Sequence, residues 1–173
     1  IGRSHLRTWL GITVALSALV FAALGVAQSE APLRGPEQPL PFSHKTHAGT
    51  LSLQCTHCHV NPEPGELMTY PATATCMQCH QAVKTDSPHI QKLAAAAEAD
   101  KAIEWVRVYQ VPDFVYFNHR THLESGATCA QCHGPVPTRE RIFVDGNITM
   151  AGCMNCHAET GAPVDCNFCH DQL

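Results

Sequence analysis

Charge and aromatic surface are scarce in this chain. Charged residues make up 15 % of the 173 residues and aromatics 6 %, which excludes a solvated coiled coil and an aromatic-rich core. There is no basic excess: eleven Lys and Arg stand against fifteen Asp and Glu, a formal charge of −4. A nucleic-acid binder needs a basic face, so that class is set aside. What the chain has instead is ten cysteines and twelve histidines, and their placement decides the reading.

Trp9 to Ala27 carries no charge for 19 residues. As a helix it would be about 28 Å long, close to the hydrocarbon thickness of a bilayer. Arg3 and Arg7 precede it and the next basic residue is Arg34. The expectation is one transmembrane helix over 9–27, with 1–8 cytoplasmic and the remainder on the periplasmic side of a bacterial cytoplasmic membrane. A cleavable signal peptide is the competing reading, but the apolar run exceeds the usual h-region. Residues 28–41 hold Pro32, Pro36, Pro39 and Pro41 and read as a non-helical linker.

All ten cysteines fall into five C-x-x-C pairs, and each pair is followed at once by histidine. The sites are Cys55/Cys58/His59, Cys76/Cys79/His80, Cys129/Cys132/His133, Cys153/Cys156/His157 and Cys166/Cys169/His170. Two thiols three residues apart reach the two vinyl groups of one porphyrin, and the adjacent histidine supplies a proximal imidazole to its iron. Zinc ribbons need two such pairs per metal and no histidine at the next position. Chance placement of five histidines there is roughly one in a million. The reading is five covalent haems c and no zinc. Residues 42–173 give only about 26 residues per haem, too few for an ordinary core, so the porphyrins are expected to be the core.

Seven other histidines remain, and four of them form a repeated phrase. Phe42-Ser-His44-Lys-Thr-His47 precedes the first site and Phe117-Asn-His119-Arg-Thr-His122 the third. The chain therefore divides into a two-haem module (42–86), a connecting helix and extended segment (87–112) and a three-haem module (113–173). Ser87-Pro88 opens the connecting helix, which is expected to run to about Glu104. Trp105, Tyr109, Phe114, Tyr116 and Phe117 concentrate the aromatics in the segment that follows. They are expected either to cover haem faces or to dock a partner. Pro112 makes this segment an edge strand or no strand.

The phrase F-x-H-x-x-H followed by spaced CxxCH sites resembles the class III cytochromes, the small c7/c3 proteins. That resemblance implies a fold that is mostly irregular with short α-helices wrapped around haems. It also implies distal ligands: His44 with His59, His47 with His80, His119 with His133 and His122 with His157. For the haem on His170 the family uses a histidine upstream of the middle site. Here that stretch carries Met150, whose thioether would give a higher potential. Met68 and His89 are rivals, and an open position is a further alternative.

The phrases EWVRVYQVPDFVYFNHRTH, YPATATCMQCH and CHGPV, with the Met150–Cys156 stretch, resemble the pentahaem membrane-anchored cytochrome subunit of alternative complex III. This resemblance implies partners: an iron–sulfur/molybdopterin-like subunit, polytopic quinol-binding subunits and a monohaem cytochrome. It implies an electron carrier that serves a quinol-oxidising complex and passes electrons to a cytochrome c, copper protein or oxidase. No catalytic residue is expected, because a distal candidate exists for every iron and none need stay open. The alternatives are a stand-alone anchored quinol dehydrogenase and, behind it, a multihaem redox enzyme.

Overall fold

The computed structural model describes residues 34–60 and 68–170. The membrane span expected over 9–27, the cytoplasmic end and the first part of the linker lie outside these residues. Among the described residues, no helix is long and apolar enough to cross a membrane. They belong to one compact unit, Leu33–Leu173.

Short helices joined by irregular chain make up that unit, and the described residues contain no strand. A π-helical turn, Lys45–Thr50, is followed by α1 (Cys55–Cys58), α2 (Thr73–His80) and α3 (Pro88–Glu98). After a long irregular passage come α4 (His119–Glu124), α5 (Cys129–His133), a 3₁₀ turn (Val136–Thr138), α6 (Met150–Thr160) and α7 (Cys166–Cys169). Two packings stand out between elements: α2 lies against α3, and the π turn lies against the 3₁₀ turn.

Conventional apolar burial is nearly absent. Among the described residues only Leu40 and Leu93 are buried apolar side chains. Phe114, Tyr116, Phe168 and Met150 are exposed. So little buried apolar surface cannot offset the entropy of ordering this much chain.

Helix α3 begins as its sequence dictates, with Ser87 before it and Pro88 in its first turn. It stops at Glu98, six residues short of the expected Glu104. Asp100 takes φ +49°, the Lys101 amide donates to the Ala96 carbonyl at 2.9 Å, and the Asp100 amide donates to Ala97 at 3.1 Å. That is a Schellman closure, built here on Asp in place of the usual Gly.

The chain from 101 to 112 is irregular, in keeping with Pro112. A side chain supplies a sheet-like pairing there. The Gln38 amide donates to the Val106 carbonyl at 3.0 Å, and the Gln38 Oε1 accepts from the Val106 amide at 2.9 Å. The described part of the proline-rich stretch is thus non-helical but docked. Arg34 lies over the Phe143 ring at 3.9 Å, Lys92 donates to the Pro39 carbonyl, and Leu40 is buried.

Candidate haem sites

Every C-x-x-C pair lies on a helical turn: α1, α2, α5, α6 and α7 each carry one. Positions i and i+3 of a helix share a face, so the two thiols of each pair project together. Seven of the ten thiols are exposed and three partly buried, which leaves them open to a porphyrin edge.

The two thiols of a pair are not always equivalent, although the motif treats them alike. Cys58 and Cys169 are partly buried while Cys55 and Cys166 are exposed, so at these sites the second thiol is the more enclosed. The site on α2 departs from that pattern. There Cys76 is the partly buried thiol and Cys79 is exposed. The cause is local. Cys76 lies in the middle of α2, with its Sγ 3.8 Å from the Ala72 carbonyl, whereas Cys79 is the next-to-last residue of the helix. The chain turns away just beyond it: the Ala82 and Val83 amides both donate to the Cys79 carbonyl at 3.0 Å.

The repeated phrase is repeated in space. Ser43 Oγ accepts from the Thr46 amide at 3.0 Å, and the Asn118 side chain accepts from the Thr121 amide at 3.3 Å. Phe42 stacks on His47 with centroids 4.4 Å apart and meets His44 edge-on at 4.9 Å. Phe117 stacks on His122 at 4.8 Å and meets His119 edge-on at 4.7 Å. One phenyl ring thus orients two imidazoles in each module.

Each of these four histidines stands opposite the histidine of one CxxCH site. His44 faces His59 with centroids 6.4 Å apart and planes 4° from parallel, and His119 faces His133 at 6.4 Å and 6°. His47 faces His80 at 6.2 Å, and His122 faces His157 at 6.1 Å. Two imidazoles on opposite sides of one metal, each bound through Nε2 at about 2.0 Å, put their centroids roughly 6.3 Å apart. The gaps fit one iron each.

Hydrogen bonds fix which nitrogen is available. Nδ1 of His47 donates to the Ser43 carbonyl and Nδ1 of His122 to the Asn118 carbonyl, both at 2.8 Å. His59 donates to Thr69 at 2.8 Å, His80 to Val83 at 3.0 Å and His157 to Pro163 at 2.6 Å. A carbonyl only accepts, so Nδ1 carries the proton and the Nε2 lone pair is left for a metal. Burial, followed by the His59 and His47 charges, holds His44 down at about 4, so its ring is neutral at ordinary pH. His133 is lowered for the same reason, with His119 and His59 adding to burial.

At the fifth site, Phe114 stands edge-on to His170 at 6.3 Å, and the Tyr116 amide donates to the Cys169 carbonyl at 2.7 Å. Met150 opens α6 and is 70 % exposed. Met68 is half-buried, while His89 is exposed at the start of α3. Two of the connecting aromatics turn inward: Trp105 meets Phe42 edge-on at 6.2 Å and Tyr109 meets His133 at 4.4 Å.

The thiols also report which sites are neighbours. Burial raises Cys76, Cys129, Cys132 and Cys153, and the next contributions come from Cys58 on Cys76, Cys55 on Cys129, Cys156 on Cys132, and Cys132 with Cys169 on Cys153. The five sites therefore follow one another in the order His80, His59, His133, His157, His170. The α2 site ends that row, with Cys76 turned toward Cys58 and Cys79 left at the surface. Nothing in the linear sequence gives this order, since the first site in the chain lies second in space.

Residues 115–171, a third of the chain, match the family described as cytochrome c7 and related cytochrome c. This is a cytochrome c7-like multihaem domain. It takes in the second histidine phrase and the last three CxxCH sites, and the family binds haem c covalently. The chain is also similar to the multihaem cytochrome c subunit of menaquinone reductase from Nitratidesulfovibrio vulgaris, 36 % identical over 98 residues. The match covers 56 % of this chain and 46 % of the relative, so the chain spans about half the length of the curated relative it matches.

Proposed function

We propose that the chain carries five haems c and serves as the electron-transfer subunit of a quinol-oxidising respiratory complex of the alternative complex III kind. In this reading it is anchored by residues 9–27, with its haem-bearing part on the periplasmic side. The observation that carries it is the set of four histidine pairs with centroids 6.1–6.4 Å apart, each joining a CxxCH histidine to the repeated phrase.

The residues divide the work as follows. Cys55/Cys58, Cys76/Cys79, Cys129/Cys132, Cys153/Cys156 and Cys166/Cys169 hold the porphyrins as thioethers. His59, His80, His133, His157 and His170 would be the proximal ligands; His44, His47, His119 and His122 would be distal ligands, and Met150 would be the distal ligand for the fifth site. When bound, haem c supplies reversible one-electron chemistry at iron. The protein fixes the ligand tautomers through Ser43, Asn118, Thr69, Val83 and Pro163, and the rings of Phe42, Phe117 and Tyr109 orient His47, His122 and His133. Two histidines would hold the haem at each of four sites, so in this reading the chain acts as an electron carrier without a catalytic residue of its own.

The partners in this reading are an iron–sulfur/molybdopterin-like subunit, polytopic quinol-binding subunits and a monohaem cytochrome. A second reading is favoured by the relative named menaquinone reductase: the same carrier would deliver electrons to a quinone in place of collecting them. Mild-detergent extraction followed by assay of the co-purifying assembly separates the two. Reduction of the haems by menaquinol supports the first. Oxidation of pre-reduced haems by menaquinone, with no reduction by menaquinol, supports the second. A lone anchored cytochrome that reacts with quinol would replace both with a stand-alone quinol dehydrogenase.

A further inference from the structure

Arg139 is a buried cation, 6 % exposed, in a chain with few buried side chains among its described residues. A charge so placed is tolerated only when paired and hydrogen-bonded. Its guanidinium pairs with Asp145, donates from Nη1 to the His133 carbonyl at 3.0 Å, and lies over the Phe143 ring at 4.4 Å. Gly134, the residue after His133, makes room for it: a Cβ there would stand 2.7 Å from Nη2, and its φ of +67° disfavours any side chain.

The main chain of Arg139 points the other way. Its carbonyl accepts from the Lys45 amide at 2.8 Å, and Lys45 directly follows His44. Around that bond the modules are pressed together. Lys45 Nζ meets Glu140 at 3.4 Å, and Gly49 of the π turn abuts the Pro137 carbonyl of the 3₁₀ turn. Tyr109 closes the ring of contacts. Its hydroxyl donates to the Phe143 carbonyl at 3.2 Å and accepts from the Asp145 amide at 3.1 Å, while its ring meets His133.

We propose that Arg139 is a positioning residue that holds the His44/His59 pair of the first module against the His119/His133 pair of the second. These two sites are then the junction between the modules. The inference rests on the multihaem reading above and adds to it which sites communicate and what fixes them. At close range in a poorly solvated interior, a change of charge at one site is felt at the other as a shift of potential.

The test uses the full haem-loaded chain, titrated by spectroelectrochemistry with the sites resolved by paramagnetic NMR. Arg139→Gln is expected to shift the potentials of the His59 and His133 sites and to weaken their mutual interaction, leaving the His80, His157 and His170 sites in place. Arg139→Lys, which keeps the charge beside Asp145 but loses the fork, is expected to shift the same two sites by less. Unchanged titrations in both variants, or shifts confined to the other three sites, would overturn the proposal. If Arg139→Gln does not accumulate, His44→Met reads the same junction. Its raised potential is expected to disturb the His80 and His133 sites first, and disturbance of His157 or His170 ahead of His133 overturns the proposal. A haem count on the unmodified chain precedes these titrations. Fewer than five haems there removes the five-haem reading itself, and this inference with it.

Discussion

His44 and His59 face each other with ring centroids 6.4 Å apart and planes 4° from parallel, although fourteen residues of chain separate them. His119 and His133, with thirteen residues between them, repeat the arrangement at 6.4 Å and 6°. Rings at that distance are too far apart to stack on each other. The spacing is that of two axial ligands on one metal ion, and it occurs twice.

Removing one distal imidazole is therefore expected to alter one haem and spare the rest. In His44→Ala the His59 site loses its sixth ligand and turns from low-spin to high-spin, and His119→Ala does the same at His133. Optical and EPR spectra of the reduced and oxidised protein check this. Loss of every low-spin signal, or of none, would contradict the pairing.

Phe42 and Phe117 stack on His47 and His122, so their truncation should loosen ligand orientation as well as packing. Each is half-buried. The expected cost of Phe42→Ala or Phe117→Ala is about 2 kcal/mol, below the roughly 3–5 kcal/mol of a fully buried phenylalanine. Denaturant unfolding of the haem-loaded chain measures it.

The helical turn carrying each distal pair has a side-chain cap, Ser43 for one and Asn118 for the other. Ser43→Ala and Asn118→Ala are each expected to cost about 1 kcal/mol in the same unfolding measurement, while Ser43→Asn is expected to be nearly neutral. The carbonyls that accept from His47 and His122 belong to the backbone and survive these changes, so the spectra should not move.

For the fifth site, Met150→His is expected to lower one potential and to convert that site's spectrum to bis-imidazole. Met150 begins α6 three residues before Cys153, a position from which a longer or shorter side chain changes ligation without breaking the helix. An unchanged spectrum would remove Met150 and turn attention to the half-buried Met68.

Much of this was legible in the chain because the chemistry is local. A thiol pair and its histidine occupy five consecutive residues, and the duplicated F-x-H-x-x-H phrase needs only self-comparison. Pro112 already argued against a regular strand in the connecting segment, which is irregular. The motif did not tell apart its own two thiols: that Cys79 is exposed and Cys76 partly enclosed depends on where α2 ends. The end of α3 was not legible either, because Asp100 adopts a left-handed conformation that composition does not announce. Nor was the docking of Arg34, Gln38 and Leu40, where prolines suggested only a spacer. Least visible was Arg139. Its role depends on Lys45, His133 and Asp145 meeting across the chain, and no periodicity or motif marks a contact between residues so far apart in sequence.

Each CxxCH site is expected to hold one covalent haem. Intact mass measurement of the purified chain under denaturing conditions tests it most directly, because thioether bonds survive unfolding and axial ligation does not. The expected result is the polypeptide mass plus five haems in a single dominant species. A mass equal to the bare polypeptide, or to the polypeptide less the hydrogens of paired thiols, would contradict it.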